Sequence, residues 1–224
     1  MSFEERMLRM VKGHSATNNP FLRRFAAGEA SRDEVERFAV EFYHFSRTFP
    51  VVLCSLLVNT PDEVEARELT KILTSELGDG DPDRRHELLY RDFLRSIGVD
   101  PVEAVGRPMR PATRAWIDTQ MALYGGRDHF AGLGASFALE HMAIPMWDRL
   151  IPGLRTYRDR WFPEMDLTYF TFHRELEEEH EDAMGAALDL LEEDPEVQAS
   201  FQRGAEEVLA AEEAFWRGLE GRPG

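Results

Sequence analysis

Cysteine is nearly absent from this chain, because Cys54 is the only one among 224 residues. A single cysteine excludes an intrachain disulfide and a thiolate-rich zinc site, since each needs more than one sulfur atom. Cys54 lies within the apolar run VVLCSLLV, so we interpret it as a small core residue and not as a nucleophile. Chemistry at a thiol is therefore not expected.

Basic residues are also scarce, with 26 Lys and Arg against 42 Asp and Glu and a formal net charge of -16. Nucleic acids and anionic membrane surfaces both attract basic protein surfaces, so this balance argues against either partner. No apolar run approaches the roughly 20 residues that cross a bilayer. The first residues, MSFEERMLRM, lack the apolar stretch of a signal peptide. We therefore expect a cytoplasmic protein.

Strand signals are missing as well, since there is no alternating pattern with hairpin turns, no internal repeat and no low-complexity tract. Helical periodicity is present instead, with a capping box at Ser31 and Glu34 and a second helix start at Thr60 and Pro61. Kinks are expected at Pro50 and Pro145. We predict one all-α domain over residues 1–224, with helices near 3–12, 17–27, 32–58, 61–77, 83–97, 110–125, 129–150, 166–192 and 195–220.

The segment HRELEEEH, residues 173–180, places ionisable groups on an apolar helix face. Residues at i, i+4 and i+7 share a face, so His173, Glu177 and His180 lie together with Tyr169 and Leu176. Burying a carboxylate and two imidazoles costs several kcal/mol unless something compensates. A bound cation would compensate, and so would a buried hydrogen-bond network among the three side chains.

Other predicted helices supply similar groups. Glu140 lies at the centre of the apolar stripe of its helix, and Glu76 continues a stripe in the last turn of another. His86 shares a face with Tyr90 and Phe93. Taken singly, each could be a satisfied core histidine or a carboxylate that reaches solvent.

Together these groups form a candidate ligand set of three carboxylates and three imidazoles. One first-row divalent ion seldom needs six protein ligands, whereas two ions that share bridging carboxylates do. Oxygen and nitrogen ligands without thiolate favour iron or manganese over structural zinc, and positions would remain open for dioxygen or substrate. The candidate metal ligands are Glu76, His86, Glu140, His173, Glu177 and His180.

Three motifs resemble those of the haem-oxygenase-like diiron oxidases and oxygenases, also described as iron-containing redox enzymes. They are ELGDGDPDRRHELL at 76–89, ALEHMAIPMW at 138–147 and HRELEEEH, in which Glu177 stands where Asp is more common. The resemblance implies a haem-oxygenase-like bundle of seven to nine helices. It also implies a fold related to the TenA proteins and to the cofactorless oxidase of pyrroloquinoline quinone synthesis.

The resemblance further implies an oxidoreductase of specialised metabolism. Two ferrous ions would bind dioxygen, form a peroxo-diferric species and oxidise an amino acid, amine or fatty acid, and manganese is the alternative metal. By this resemblance Glu76, His86 and His180 would hold one iron, His173 with Glu177 the other, and Glu140 would bridge. A small-molecule substrate is then the expected partner, and a homodimer is possible because dimers are the commonest assembly.

Several alternatives compete with this interpretation. A ferritin-like protein would need a second Glu-x-x-His pair, which we do not find. A haem protein would need a proximal histidine, for which His14 is the candidate, and the six ionisable groups would exclude the ring. A cofactorless enzyme or a helical protein that binds an organic ligand stays open. His44, His129 and His141 are interpreted as surface residues or as residues that support the ligands.

The substrate is constrained only in part. Self-sacrificing p-aminobenzoate synthases of the resembled family need an active-site lysine, and the chain has only Lys12 and Lys71. Lys71 precedes Glu76 by five residues, about 140° around the helix, and so points elsewhere. Glu41 is either the extra carboxylate ligand of N-oxygenating members or a flanking surface acid. Candidate substrate contacts, for each of which we prefer the interpretation of an exposed or packing residue, are Tyr43, Arg47, Trp147, Tyr169 and Arg174.

Overall fold

A computed structural model describes the backbone of residues 1–180 and 194–220 and the side chains of residues 1–176 and 194–220. Over these residues the chain is helical and contains no β-strand, which confirms the all-α class. A short 3-10 helix, Pro82–Arg84, precedes the sixth α-helix. The α-helices are α1 Phe3–Gly13, α2 Pro20–Ala26, α3 Arg32–Ser46, α4 Phe49–Asn59, α5 Glu63–Glu76, α6 His86–Ser96, α7 Pro101–Gly106, α8 Pro111–Tyr124, α9 His129–Trp161, α10 Thr168–His180 and α11 Pro195–Leu219.

The helix starts follow local capping chemistry. The predicted capping box at α3 is confirmed, because the Ser31 hydroxyl accepts from the Glu34 N–H at 3.2 Å and the Glu34 carboxylate accepts from the Ser31 N–H at 2.8 Å. At α5 the cap is Asp62, which accepts from the N–H of Val64 and of Glu65. The predicted cap at Thr60 is therefore wrong, because the helix is capped at Asp62 and begins at Glu63.

The predicted helix 32–58 is two helices in the structure. α3 ends at Ser46, and α4 begins at Phe49 with Pro50 in its first turn. Proline lacks an N–H and fits the first turn, where that N–H would have no partner inside the helix, so the chain breaks before Pro50 instead of kinking at it. The short helix α7, capped by Asp100, was not predicted at all.

The helix α9 is longer than predicted. It continues past residue 150 to Trp161, through Pro145 and Pro152, because the buried residues Leu154 and Tyr157 extend its apolar face. The helix α10 is described as far as His180, and the rest of the predicted range 166–192 lies outside the described residues.

Aromatic side chains from four helices meet at the centre of the bundle. The ring of Phe42 on α3 lies 6.0 Å from Tyr90 on α6, 6.1 Å from Trp116 on α8 and 6.0 Å from Trp147 on α9, measured between centroids. All four side chains are buried. Three of these side chains, Phe42, Trp116 and Trp147, also line the cavity described below.

Two glycines let α9 and α11 pack with their backbones in contact. A Cβ atom at Gly134 would overlap the carbonyl of Phe201, and one at Gly204 would overlap the carbonyl of Ala131. Glycine is the one residue that allows so close an approach. The contact fixes α11 along α9 and turns a face of α11 towards the centre of the bundle.

The prediction that Cys54 lies in the core is wrong. α4 packs inward through Val52, Leu53 and Leu56, while Cys54 lies on its outer side and is exposed. The apolar run therefore covers both faces of the helix, and only one of them is buried. Among the described residues, no helix combines the length and apolar character that a membrane crossing requires.

Candidate metal centre

Three predicted ligands from three helices converge on one point. Glu76 on α5, His86 on α6 and His173 on α10 each offer a donor atom, and these atoms all lie within 4.8 Å of one another. Ligand atoms held about 2 Å from one ion are separated by about 3 to 4 Å, so small adjustments would suit a common cation. The three groups form a candidate metal centre.

The loop between α5 and α6 brings Glu76 and His86 together. Glu76 is the last residue of α5 and His86 the first of α6. Gly78 has a φ of 95°, a left-handed conformation in which a Cβ atom would also overlap the Asp81 carbonyl. The glycine-rich part of ELGDGDPDRRH therefore allows the tight reversal that the site requires.

Glu76 and His86 approach each other without forming a hydrogen bond. The His86 Nδ1 atom lies 3.0 Å from the Glu76 Oε1 atom, and the two side chains are 2% and 11% exposed. The alignment is poor, so neither ring nitrogen of buried His86 has a hydrogen-bond partner. Buried polar groups normally find partners, and two ligands that direct lone pairs at a shared cation would have this arrangement. The residues present therefore fit a metal ion.

His173 is held as a neutral imidazole. Its Nδ1 atom lies 2.7 Å from the Tyr169 carbonyl oxygen, which can only accept, so Nδ1 carries the proton and Nε2 keeps its lone pair. Burial, and then the neighbouring His86, lower the pKa of His173 to about 4. A neutral imidazole oriented through its second nitrogen is the form that binds a metal.

The predicted ligand Glu140 lines the same cavity as these three residues. The cavity has a volume of about 70 Å³. Its walls are mainly aromatic and apolar, with Phe42, Phe45, Phe49, Trp116, Trp147, Tyr169, Ile72, Leu139 and Leu176 among them. Glu177 and His180 follow on α10, and their side chains lie outside the described residues. The structure thus gathers Glu76, His86, Glu140 and His173 at one cavity.

The remaining histidines do not line this cavity. His14 accepts a hydrogen bond from the Ala16 N–H at the end of α1. His129 Nε2 lies 2.8 Å from a Glu65 carboxylate oxygen. His44 and His141 are 1% and 8% exposed, so the surface interpretation is wrong for both.

Glu41 is neither an exposed acid nor a lining residue of the cavity. It is 5% exposed, and one of its oxygens accepts from the Arg110 N–H at 3.1 Å and from the Thr113 hydroxyl. These donors lie at the N-terminus of α8, where a negative charge is stabilised by the unpaired N–H groups. The surface interpretation of Glu41 is wrong, because the carboxylate joins α3 to the start of α8.

Two of the five possible substrate contacts, Trp147 and Tyr169, line the cavity. The other three lie elsewhere: Tyr43 donates to Glu87 at 2.6 Å, Arg174 pairs with Asp148 at 2.7 Å, and Arg47 is exposed. Among the described residues, no lysine or arginine lines the cavity. An arginine clamp on a substrate carboxylate is therefore absent from the described walls.

Sequence reasoning missed one acidic residue of the cavity, Glu212 on α11. Its side chain is buried, Oε1 accepts from the Trp216 indole N–H at 3.3 Å, and Oε2 has no hydrogen-bond partner among the described residues. Burial raises the pKa of Glu212 to about 8, opposed by the Trp216 hydrogen bond. The helical period that revealed Glu140 also places Glu212 beside Val208 and Trp216, and would have found it.

Comparison with known proteins gives two kinds of relative by sequence. A family model for iron-containing redox enzymes matches residues 36–213. The chain is 28% identical over 216 residues to 4-chloro-allylglycine synthase of Streptantibioticus cattleyicolor, covering 95% of this chain and 80% of the relative. It is 25% identical over 221 residues to 4-aminobenzoate synthase of Chlamydia trachomatis, covering 99% and 90%.

Solved structures show the same fold at low sequence identity. A CADD-like protein of unknown function from Nostoc punctiforme has a TM-score of 0.81 at 17% identity, covering 97% of this chain and 95% of that one. A TenA homologue from Pseudomonas syringae has a TM-score of 0.80 at 11% identity, with 97% and 92% covered. A protein from Shewanella denitrificans with a haem-oxygenase-like fold has a TM-score of 0.73 at 19% identity, with 97% and 88% covered. The predicted haem-oxygenase-like fold is confirmed.

Proposed function

The chain belongs to the family of iron-containing redox enzymes, and from this premise we propose that it is a non-haem diiron oxidase or oxygenase. It uses dioxygen to oxidise a small metabolite, which is an amino acid, an amine or a fatty acid. The observation that carries the proposal is the convergence of Glu76, His86 and His173 within 4.8 Å in the lining of a mainly apolar cavity.

The iron ligands that we propose are those of the sequence-derived set. Glu76, His86, Glu140 and His173 line the cavity, and Glu177 and His180 follow His173 on the same helix. The described donors group His173 with Glu76 and His86, whereas the family resemblance pairs it with Glu177. We therefore propose that these three belong to one iron site, with Glu140 as the carboxylate between the two ions.

The protein side chains prepare the site for this chemistry. The Tyr169 carbonyl fixes the tautomer of His173, and the buried carboxylate of Glu76 would offset positive charge. The aromatic walls limit the access of water, which protects reactive species from side reactions. When bound, iron would supply the activation of dioxygen that no amino-acid side chain provides.

The relatives guide the choice of substrate. One is named for making 4-chloro-allylglycine, an amino acid, and the other for making 4-aminobenzoate. Lys71 is exposed and pairs with Glu68 at 2.7 Å, so neither it nor any other described lysine lines the cavity. A route that consumes an active-site lysine is therefore disfavoured, and we propose a free small molecule as the substrate.

Iron loading tests this proposal. After anaerobic incubation with ferrous iron and removal of the excess, elemental analysis should find about two iron ions per chain in the wild-type protein. His173→Ala should lose at least half of this iron while its helical circular dichroism stays unchanged, because one donor of the buried cluster is removed. His129→Ala is the matched control, since His129 pairs with Glu65 away from the cavity, and it should keep the wild-type iron content.

The competing function is a cofactorless enzyme or a protein that binds an organic ligand in the same cavity. The likeness to a TenA homologue favours it only at the level of fold. Wild-type protein that takes up no iron would support this alternative and contradict the diiron proposal. Equal iron content in His173→Ala and His129→Ala would contradict the assigned ligands.

A further inference from the structure

The cavity contains an acidic group that the proposed iron site does not use. Glu212 lies on α11, whereas Glu76, His86 and His173 lie on α5, α6 and α10. The cluster of donor atoms within 4.8 Å of one another consists of Glu76, His86 and His173, and Glu212 is not part of it. Glu212 is therefore an acidic side chain of the cavity wall in addition to this donor cluster.

This carboxyl group is costly to bury and lacks a full set of partners. The side chain of Glu212 is 1% exposed, Trp216 contacts only Oε1, and Oε2 has no hydrogen-bond partner among the described residues. A half-satisfied buried carboxyl costs stability, and an apolar residue would pack there without this cost. The cost is explained if a ligand completes the hydrogen bonding.

The charges around the cavity indicate what such a ligand carries. No lysine or arginine lines the described walls, and the sequence of residues 177–193 contains neither. A substrate carboxylate would find no lysine or arginine side chain on the described walls, and it would meet Glu212. An ammonium group would meet a carboxyl, with the rings of Phe42, Phe45 and Trp116 on the same walls. Aromatic faces attract cations as well as apolar chains.

We propose that the substrate is a small molecule with an ammonium group, and that Glu212 binds this group while the rest of the molecule extends towards the metal centre. The assignment rests on the proposed function, because that function makes the cavity the substrate site. Binding converts the protonated Glu212 carboxyl into a carboxylate that faces the ammonium group, and the carboxyl proton leaves to solvent. Among the substrate classes proposed above, amines and amino acids carry the ammonium group that Glu212 would bind, and fatty acids do not.

Calorimetric titration with three matched probes tests the inference. Butylamine, 1-butanol and butanoate have similar size and differ in the charge of the head group. We expect wild-type protein to bind butylamine at least about tenfold more tightly than either other probe, as a charge-assisted hydrogen bond would give. In Glu212→Gln this preference should disappear while the iron content stays at the wild-type level.

The adjacent acid supplies the matched control. Glu213 contacts Ser15 and Arg217 instead of the cavity, so Glu213→Gln should keep the preference for butylamine. A wild-type protein that binds butylamine no better than 1-butanol overturns the inference without any variant, and so does a preference that survives in Glu212→Gln. The titrations are run on iron-loaded and metal-free protein. If the protein takes up no iron, the proposed function is contradicted. The titration of metal-free protein still measures whether butylamine binds more tightly than the other two probes.

Discussion

Burial controls the charge of individual ionisable side chains around the cavity. It lowers the pKa of His173 to about 4 and raises that of Glu212 to about 8. Both shifts have the same origin, because a dry environment disfavours the charged form of either group. At pH 7 both residues are therefore neutral in the metal-free protein. His173 is ready to donate a lone pair, and Glu212 is ready to lose a proton to a cationic partner.

The raised pKa of Glu212 predicts a specific loss of stability with pH. The folded protein holds this proton up to about pH 8, whereas the unfolded chain releases it near the ordinary value of 4.5. The contribution of Glu212 to stability is therefore fully present below pH 4.5 and is lost as the pH rises to about 8. Glu212→Gln cannot lose a proton. Its free energy of unfolding, relative to that of the wild type, should therefore rise by several kcal/mol between pH 4.5 and about pH 8.

Urea unfolding of the metal-free proteins at pH 5 and at pH 8.5 measures this difference. Glu213→Gln serves as the comparison, because Glu213 is held by Ser15 and Arg217 at the surface and has a lowered pKa. The free energy of unfolding of Glu213→Gln should not rise in this way relative to that of the wild type. Parallel pH profiles for Glu212→Gln and the wild type would contradict the account of Glu212 as a buried, protonated acid.

At the scale of helices, periodicity placed four candidate ligands on faces that line the cavity in the structure. Glu76, His86, Glu140 and His173 each lie on an apolar stripe, and this repeat depends only on the local sequence. The same rule applied to α11 separates Glu212, which shares a face with Val208 and Trp216, from its neighbour Glu213. Two adjacent acids more often indicate a solvent-exposed face, and Glu212 was not predicted as a cavity residue. The role of Glu41 could not be read from its own helix, since it depends on how the start of α8 packs against α3.

Glu41 should act on helix α8 and not on the metal. In Glu41→Ala the hydroxyl of Thr113 and the N–H of Arg110 lose their buried acceptor, which should lower the free energy of unfolding by about 1 to 3 kcal/mol. Iron content should remain that of the wild type. Chemical denaturation and elemental analysis of one preparation measure both quantities, and loss of iron with unchanged stability would contradict this role.

At the scale of the whole molecule, the acidic and histidine side chains of the cavity come together because α5, α6, α9, α10 and α11 meet. Sequence patterns identified the inward faces of four of these helices, whereas the meeting itself depends on contacts distant in sequence. The backbone contact at Gly134 and Gly204 is an example, since nothing in either local pattern indicates its partner. A single domain and a possible homodimer stay predictions, and size-exclusion chromatography with light scattering measures the assembly.

The central claim is that the cavity holds paired iron ions between these helices. Anomalous diffraction at the iron absorption edge, from crystals of the anaerobically loaded protein, tests it most directly. We expect two peaks in contact with Glu76, His86, Glu140 and His173. Peaks on surface acids alone, or no peak beside these four residues, would contradict the account.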